Sequence, residues 1–230
     1  MRRLLLSPIL LLALVLVPAA ARAQGLNILE LYRELQVAQP NGFPTYEIKP
    51  SPRGPAASGG LLYGERARVA LILDVPRFYL RITDQGDAES AQGMVTEVAA
   101  WIDADGAPLV GLSEWGVRDG RPFAGRLRFY SRASGRWNLV TAKVWPKDLD
   151  QAVCGAEPRE VAEDTAAWEG LGQVVALLPR RGTDIQAWCV GSSPVAGTGA
   201  AVVWDGGAGR FARGSALTGP PPWDRRRRGG

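Results

Sequence analysis

The chain has 230 residues, is 46% hydrophobic and 22% charged, and contains no histidine. That composition supports a packed core, and the absence of histidine excludes Ser-His-Asp and Cys-His nucleophiles, histidine general bases and histidine-ligated zinc within the chain. The formal charge of +4 sits at the ends: without Arg2, Arg3, Arg22 and Arg225 to Arg228, residues 24–223 hold 20 basic against 22 acidic groups, so the body lacks the positive field of a nucleic-acid-binding domain and no nucleic acid is expected as partner.

Arg2 and Arg3 precede an apolar run from Leu4 to Val17, which is followed by small residues at Ala19 to Ala21 and at Ala23. This is the order of an export signal. Ala21-Arg22-Ala23 supplies the small-x-small pattern that a signal peptidase reads, which places cleavage before Gln24. An uncleaved anchor would need about 20 apolar residues to span the hydrocarbon, whereas this run is shorter and broken by Ser7 and Pro8. The Leu-rich core favours the general secretory route over a twin-arginine signal opened by Arg2-Arg3. Residues 1–23 are therefore expected to be a signal peptide, and the mature protein to be periplasmic or extracellular.

After the signal, Ile28, Leu31, Tyr32, Leu35 and Ala38 fall at helical spacing, with Asn27 as N-cap and Glu30 three residues on. Pro40-Asn41-Gly42 ends that helix, and residues 40–60, rich in Pro, Gly and Ser, read as a loop or linker, so 24–60 forms a helix-plus-linker segment. From Ala67 short β-type runs follow one another: ARVALILDV, FYLRIT, MVTEVAAWI, PLVGLSEW, FAGRLRFYS and RWNLVTAKVW. Pro76, Asp103-Ala104-Asp105-Gly106 and Ser134-Gly135 punctuate them. The spacing leaves no room for crossover helices, so the strands should pair antiparallel. Short helices are expected around Leu149 to Val153 and Arg159 to Leu171, and strands return at QVVALLP, DIQAWCV, GAAVVW and RFARGSAL. The fold class is thus mainly β: an antiparallel meander or sandwich of short strands, with an N-terminal helix and one or two short helices in the second half. Residues 61–218 make a single β-rich domain. Residues 129–142 and 202–216 share a strand, Gly-bearing turn, Arg plus aromatic, strand pattern, which two ordinary hairpins explain more simply than a duplicated half or a propeller-like blade does.

Cys154 and Cys189 are the two cysteines, and in an oxidising compartment an isolated pair is most simply a disulfide. They lack the CxxC spacing of a redox motif. Gly111-Leu112-Ser113-Glu114-Trp115 begins like a nucleophile elbow but carries Trp where Gly is needed, and no glycine pattern supports a dinucleotide site. Asp103-Ala104-Asp105-Gly106 has the alternating carboxylates of a calcium loop, yet Trp101 and Leu112 occupy two ligand positions of that loop, so an Asp-Gly hairpin turn is expected instead. No metal or cofactor is implied.

Carboxylates remain as candidate catalysts, and Glu114 with Asp119, in the stretch Gly116 to Pro122, is the best pair for a glycosidase-type site. With 22 acidic groups in the body, solvated loop charges are the simpler explanation of such a pair. Of the eight tryptophans, Trp101, Trp137, Trp145, Trp188 and Trp204 lie in strand-like runs and suit the core, while Trp115 and Trp168 are the candidate exposed binding residues. Residues 219–230 hold Pro220 to Pro222 and then Arg225, Arg226, Arg227 and Arg228, and should form a disordered basic tail able to hold an anionic surface. The expectation is a non-enzymatic binding domain for an envelope protein or polysaccharide. A small carboxylate-dependent carbohydrate-active enzyme and a structural envelope accessory protein are the alternatives.

Intact-mass measurement on exported protein should give a chain beginning at Gln24, and retention of residues 1–23 would overturn the export reading.

Overall fold

The computed structural model describes residues 27–41, 46–59, 69–85, 92–133, 135–155, 173–190 and 196–223. Residues 1–23, expected to be a signal peptide, the helix expected over 159–171 with Trp168 inside it, and Arg225 to Arg228 lie outside the described residues.

Six strands form one antiparallel meander: β3 (Val69–Asp74), β4 (Tyr79–Asp84), β5 (Gln92–Ile102), β6 (Pro108–Arg118), β7 (Arg121–Ala133) and β8 (Arg136–Leu139), each paired with its sequence neighbour. Four more, β9 (Val174–Leu177), β10 (Ile185–Cys189), β11 (Gly199–Asp205) and β12 (Arg210–Ala216), form a second antiparallel meander. The expected fold class is the observed one. The Asp103 to Gly106 segment is the β5–β6 turn: the Asp103 carboxylate accepts from the Asp105 and Ala107 N–H groups at 3.0 and 2.8 Å, which commits it to the backbone. The echoed stretches prove to be the β7–β8 and β11–β12 hairpins of different sheets.

Alternation along the strands sorts the large sheet into two buried faces. Leu80, Ile82, Val98, Val110, Leu112 and Tyr130 pack on α1 (Ile28–Ala38), whose Ile28, Leu31, Tyr32 and Leu35 are all buried. As expected, Asn27 caps α1, its carboxamide accepting from Leu29 N at 2.9 Å. Tyr79, Ala99, Trp101, Leu109 and Phe129 face the other way, onto the small sheet and onto α3 (Leu149–Cys154). There Trp101, Phe129, Trp145, Trp204 and Phe211 form a ring cluster, with Phe211 4.9–5.1 Å from Trp204, Phe129 and Trp101.

Three expectations need correction. Residues 40–60 are more than a linker: β1 (Glu47–Lys49) and β2 (Ala56–Ser58) form a hairpin that sends Tyr46 and Ile48 into the core beneath α1. The Tyr32 hydroxyl and Gln36 amide donate to Tyr46 O at 3.0 and 2.9 Å, and Arg33 donates to Ile48 O at 3.0 Å, so the helix fastens the hairpin. The run RWNLVTAKVW is strand only to Leu139 and then becomes α2 (Thr141–Val144). Thr141 Oγ1 accepts from Phe129 N at 2.9 Å, supplying from a side chain the acceptor that a continued β8 would have offered. Finally, the tail is docked as far as it is described, because Trp223 packs on Trp115 and Trp188. The two ring contacts add to the apolar area that Trp223 buries, and the prolines restrict the backbone that leads to it.

Cys154, at the end of α3, and Cys189, at the end of β10, are disulfide-bonded with Cα atoms 5.2 Å apart. The bridge ties α3 to the middle of the small sheet, and both sulfurs are buried in the inter-sheet core. Among the described residues, no helix is long and apolar enough to cross a membrane. Closing a loop of this size restricts the unfolded chain by up to about 4 kcal/mol. Replacing both cysteines by serine should therefore lower the melting temperature by many degrees, and non-reducing peptide mapping should find the two cysteine peptides joined. A melting temperature unchanged by the double substitution would refute the structural role.

Candidate functional site

The paired carboxylates do not form a site. Glu114 lies in β6, 6% exposed, on the α1 face of the large sheet, and is ion-paired with Arg126 of β7. A β-bulge produces that pair: between Ser113 and Trp115 of β6 the register to β7 shifts, so Gly125 and Arg126 together oppose Glu114. A Cβ at Gly125 would stand 2.6 Å from Glu114 O, so the bulge requires glycine. Asp119 has φ 52 and, with Gly120 at φ 73, forms the two-residue turn between β6 and β7. It is exposed. Five residues of extended chain separate Glu114 from Asp119, roughly 17 Å, whereas glycosidase carboxyls stand about 5–9.5 Å apart. Removing either partner of a buried ion pair costs about 3–5 kcal/mol, so the role of Glu114 is to hold β6 and β7 together beneath α1.

Trp115 is next in sequence and therefore on the opposite face. It is 6% exposed rather than open to solvent, which corrects the expectation of an exposed residue; its neighbours are Val95, Val175 and Val190. Trp188 of β10, 3% exposed, comes from the small sheet. Its ring crosses Gly199 of β11, where a Cβ would meet it at 2.7 Å. Between the two rings sits Trp223, its centroid 5.7 Å from Trp115 and 6.4 Å from Trp188. Each such ring pair contributes about 0.5–1.5 kcal/mol beyond area burial. The result is an aromatic slot with one wall on each sheet, filled by the chain's own C-terminal segment.

A buried polar cluster adjoins the slot. The Arg81 guanidinium of β4 lies 5.6 Å from the Trp115 ring centroid, in cation–π range, and 3.9 Å from Glu97 Oε1. Glu97 of β5 is 3% exposed; it accepts from the Tyr79 hydroxyl at 2.7 Å and from Leu178 N at 3.0 Å. Burial pushes the Glu97 carboxyl above the ordinary glutamate range, opposed by the Tyr79 and Leu178 hydrogen bonds, by Arg81 and by the nearby Trp115 N–H. Burial and then the Glu97 charge raise the Tyr79 phenol well above its usual value. Among the described residues, Arg81 Nε and Trp115 Nε1 are buried donors that complete no hydrogen bond. A second contact ties the sheets farther from Trp115, at the end of β3 that leads into β4, where Asp74 accepts from Arg77 and Arg180 at 2.9 and 3.0 Å. Those two hydrogen bonds hold its carboxyl below the ordinary range.

With the geometry in place, comparison with known proteins adds nothing to it: no family model matches the chain, and neither does any curated protein or solved structure. Among the described residues no group of three or more His, Cys, Asp or Glu is placed to hold a metal ion. A shallow groove between α3 and β12, bordered by Gln151, Thr198 and Arg213, is a further concave surface, and the charged residue at its border, Arg213, faces Asp148 at 3.7 Å.

Sequence reasoning missed Arg81, Glu97 and the docking of Trp223. A signal existed for Glu97, a carboxylate inside the apolar run MVTEVAAWI, since a charge there must be buried with partners. Nothing comparable marked Trp223, because its site is made by residues distant in sequence.

A carboxyl whose folded value lies above its unfolded one contributes stability at low pH and loses it as pH rises through the folded value. The groups facing Glu97 are Tyr79 and Arg81 from β4, Trp115 from β6 and the Leu178 N–H after β9. Glu97→Gln keeps an acceptor for Leu178 and supplies a donor to Tyr79, imitating the protonated acid. Its melting temperature should therefore gain on the wild type as pH rises above the ordinary glutamate range. A difference that stays constant with pH, followed by calorimetry, would refute the assignment.

Proposed function

We propose that the chain is an exported, non-enzymatic domain of the periplasm or cell exterior that binds another envelope component, a protein or a polysaccharide, through the slot between Trp115 and Trp188. The observation that carries this reading is the slot itself: indoles from two different sheets, with Arg81 stacked beside them and two buried donors without acceptors. Tryptophan and arginine in a desolvated pocket are the residue types on which binding energy concentrates. The Cys154–Cys189 bridge and the Arg2 to Ala23 export pattern agree with work in an oxidising compartment. Arg225 to Arg228 follow Trp223 closely in sequence, so attraction to an anionic surface would act near the slot.

The carbohydrate-active alternative on Glu114 and Asp119 has less support, because one carboxylate is committed to Arg126 and the other stands in an exposed turn. A structural accessory role remains as the second alternative and would leave the slot without a ligand.

Immobilised mature protein should enrich one component from a solubilised envelope extract, and Arg81→Gln, shown by its cooperative melt to be folded, should retain it several-fold less, because the substitution removes the charge over Trp115 together with its 3.9 Å ion pair to Glu97. Equal recovery on both proteins would refute the slot. Release of reducing sugar from envelope polysaccharide would favour the enzyme instead.

A further inference from the structure

The slot already shows what it accepts. Leu217 N–H donates to Gly199 O at 2.8 Å, and beyond it residues 218–223 make no backbone hydrogen bond among the described residues. Pro220, Pro221 and Pro222 have no N–H to give. The segment is held by side chains: Pro221 beside Gly197, and Trp223 between Trp115 and Trp188. Contacts of this kind, with no backbone ladder behind them, open locally more readily than the rest of a domain does. They also have the chemistry by which proline-rich peptides dock in aromatic-lined grooves, where a pre-restricted backbone loses little entropy on binding.

We propose that the Trp115–Trp188 slot is a recognition site for a proline-rich polypeptide segment carrying an aromatic residue, that Gly219–Trp223 is its resident occupant, and that a partner segment of the same chemistry binds by displacing it. This rests on the binding-domain reading above and commits it to a protein partner. The resident segment is itself polypeptide, and its contacts with the slot are made by proline and tryptophan side chains.

The test uses the full mature protein, wild type and Trp223→Ala, titrated in a fluorescence-anisotropy assay with a labelled synthetic peptide of residues 217–224, which omits the four arginines. In the wild type the tethered segment competes at an effective concentration of order millimolar, so Trp223→Ala should bind the peptide at least about tenfold more tightly. The same peptide with alanine for its tryptophan should bind neither protein. Trp223→Phe keeps a smaller ring in place and should fall between the two; it is the deciding variant if Trp223→Ala loses its cooperative melt. Equal affinity for wild type and Trp223→Ala, or binding that ignores the peptide's tryptophan, would overturn the proposal. So would binding of chitohexaose, and not of the peptide, by Trp223→Ala, which would transfer the slot to glycans while leaving the binding-domain reading intact. Failure of the Arg81-dependent envelope capture would instead strike at that reading itself.

Discussion

Strand β6 has no solvent side. From Pro108 to Gly116 every residue is buried, because α1 and the β1–β2 hairpin cover one face of the large sheet while the small sheet and α3 cover the other. The carboxylate and the hydroxyl on β6 must then find partners inside the protein, since an unpaired buried charge or hydroxyl would cost several kcal/mol (~2–7 for a hydroxyl). Glu114 takes Arg126 across a bulge. Ser113 takes the carbonyl of Ala176 on β9. The same constraint on β5 gives Glu97 its bonds to Tyr79 and to Leu178 N. What looks in sequence like a row of candidate catalysts is the polar stitching of a two-faced sheet.

Much of the architecture was legible, and for physical reasons. Period-two alternation and turn residues are local properties, so the strand runs, the antiparallel pairing, the α1 cap at Asn27 and the Asp103 turn could be read without tertiary information. Where local preference was overruled, tertiary contacts did it. VTAKV has a β-favouring composition, but Thr141 turns to accept from Phe129 N and the chain coils into α2. Residues 40–60 look like a linker by composition, yet Tyr46 is drawn into the core, its carbonyl taken by Tyr32 and Gln36 and its hydroxyl donating to Asp84 at 3.3 Å.

The candidate site was less legible. Glu114 and Trp115 are adjacent in β6, so alternation alone implies that they point to opposite faces. The identity of the faces could not be read, because it depends on which element covers each of them. Nor could the slot, whose walls Trp115 and Trp188 lie 73 residues apart and whose occupant lies a further 35 along. The cysteine pair was legible because its partner choice needed no geometry: with two cysteines there is one possible bridge.

The two sheets are also prevented from sliding past each other. β9 is an edge strand of the small sheet, and edge strands expose backbone groups that invite foreign pairing. Here the Ala176 carbonyl accepts from Ser113 and Leu178 N–H donates to Glu97, so side chains of the large sheet occupy that edge. At the same end Asp74 bridges to Arg180, and Trp101 Nε1 donates to Thr183 O at 2.8 Å. Each of these bonds joins one sheet to the segment leading from β9 to β10, and the disulfide fixes β10 in turn to α3. Trp115 and Trp188 are consequently mounted on a rigid frame with their separation set by these cross-links. The element between them, residues 218–223, makes no backbone hydrogen bond among the described residues. Rigid walls and a loosely held occupant are the combination in which exchange of that occupant requires no rearrangement of the sheets.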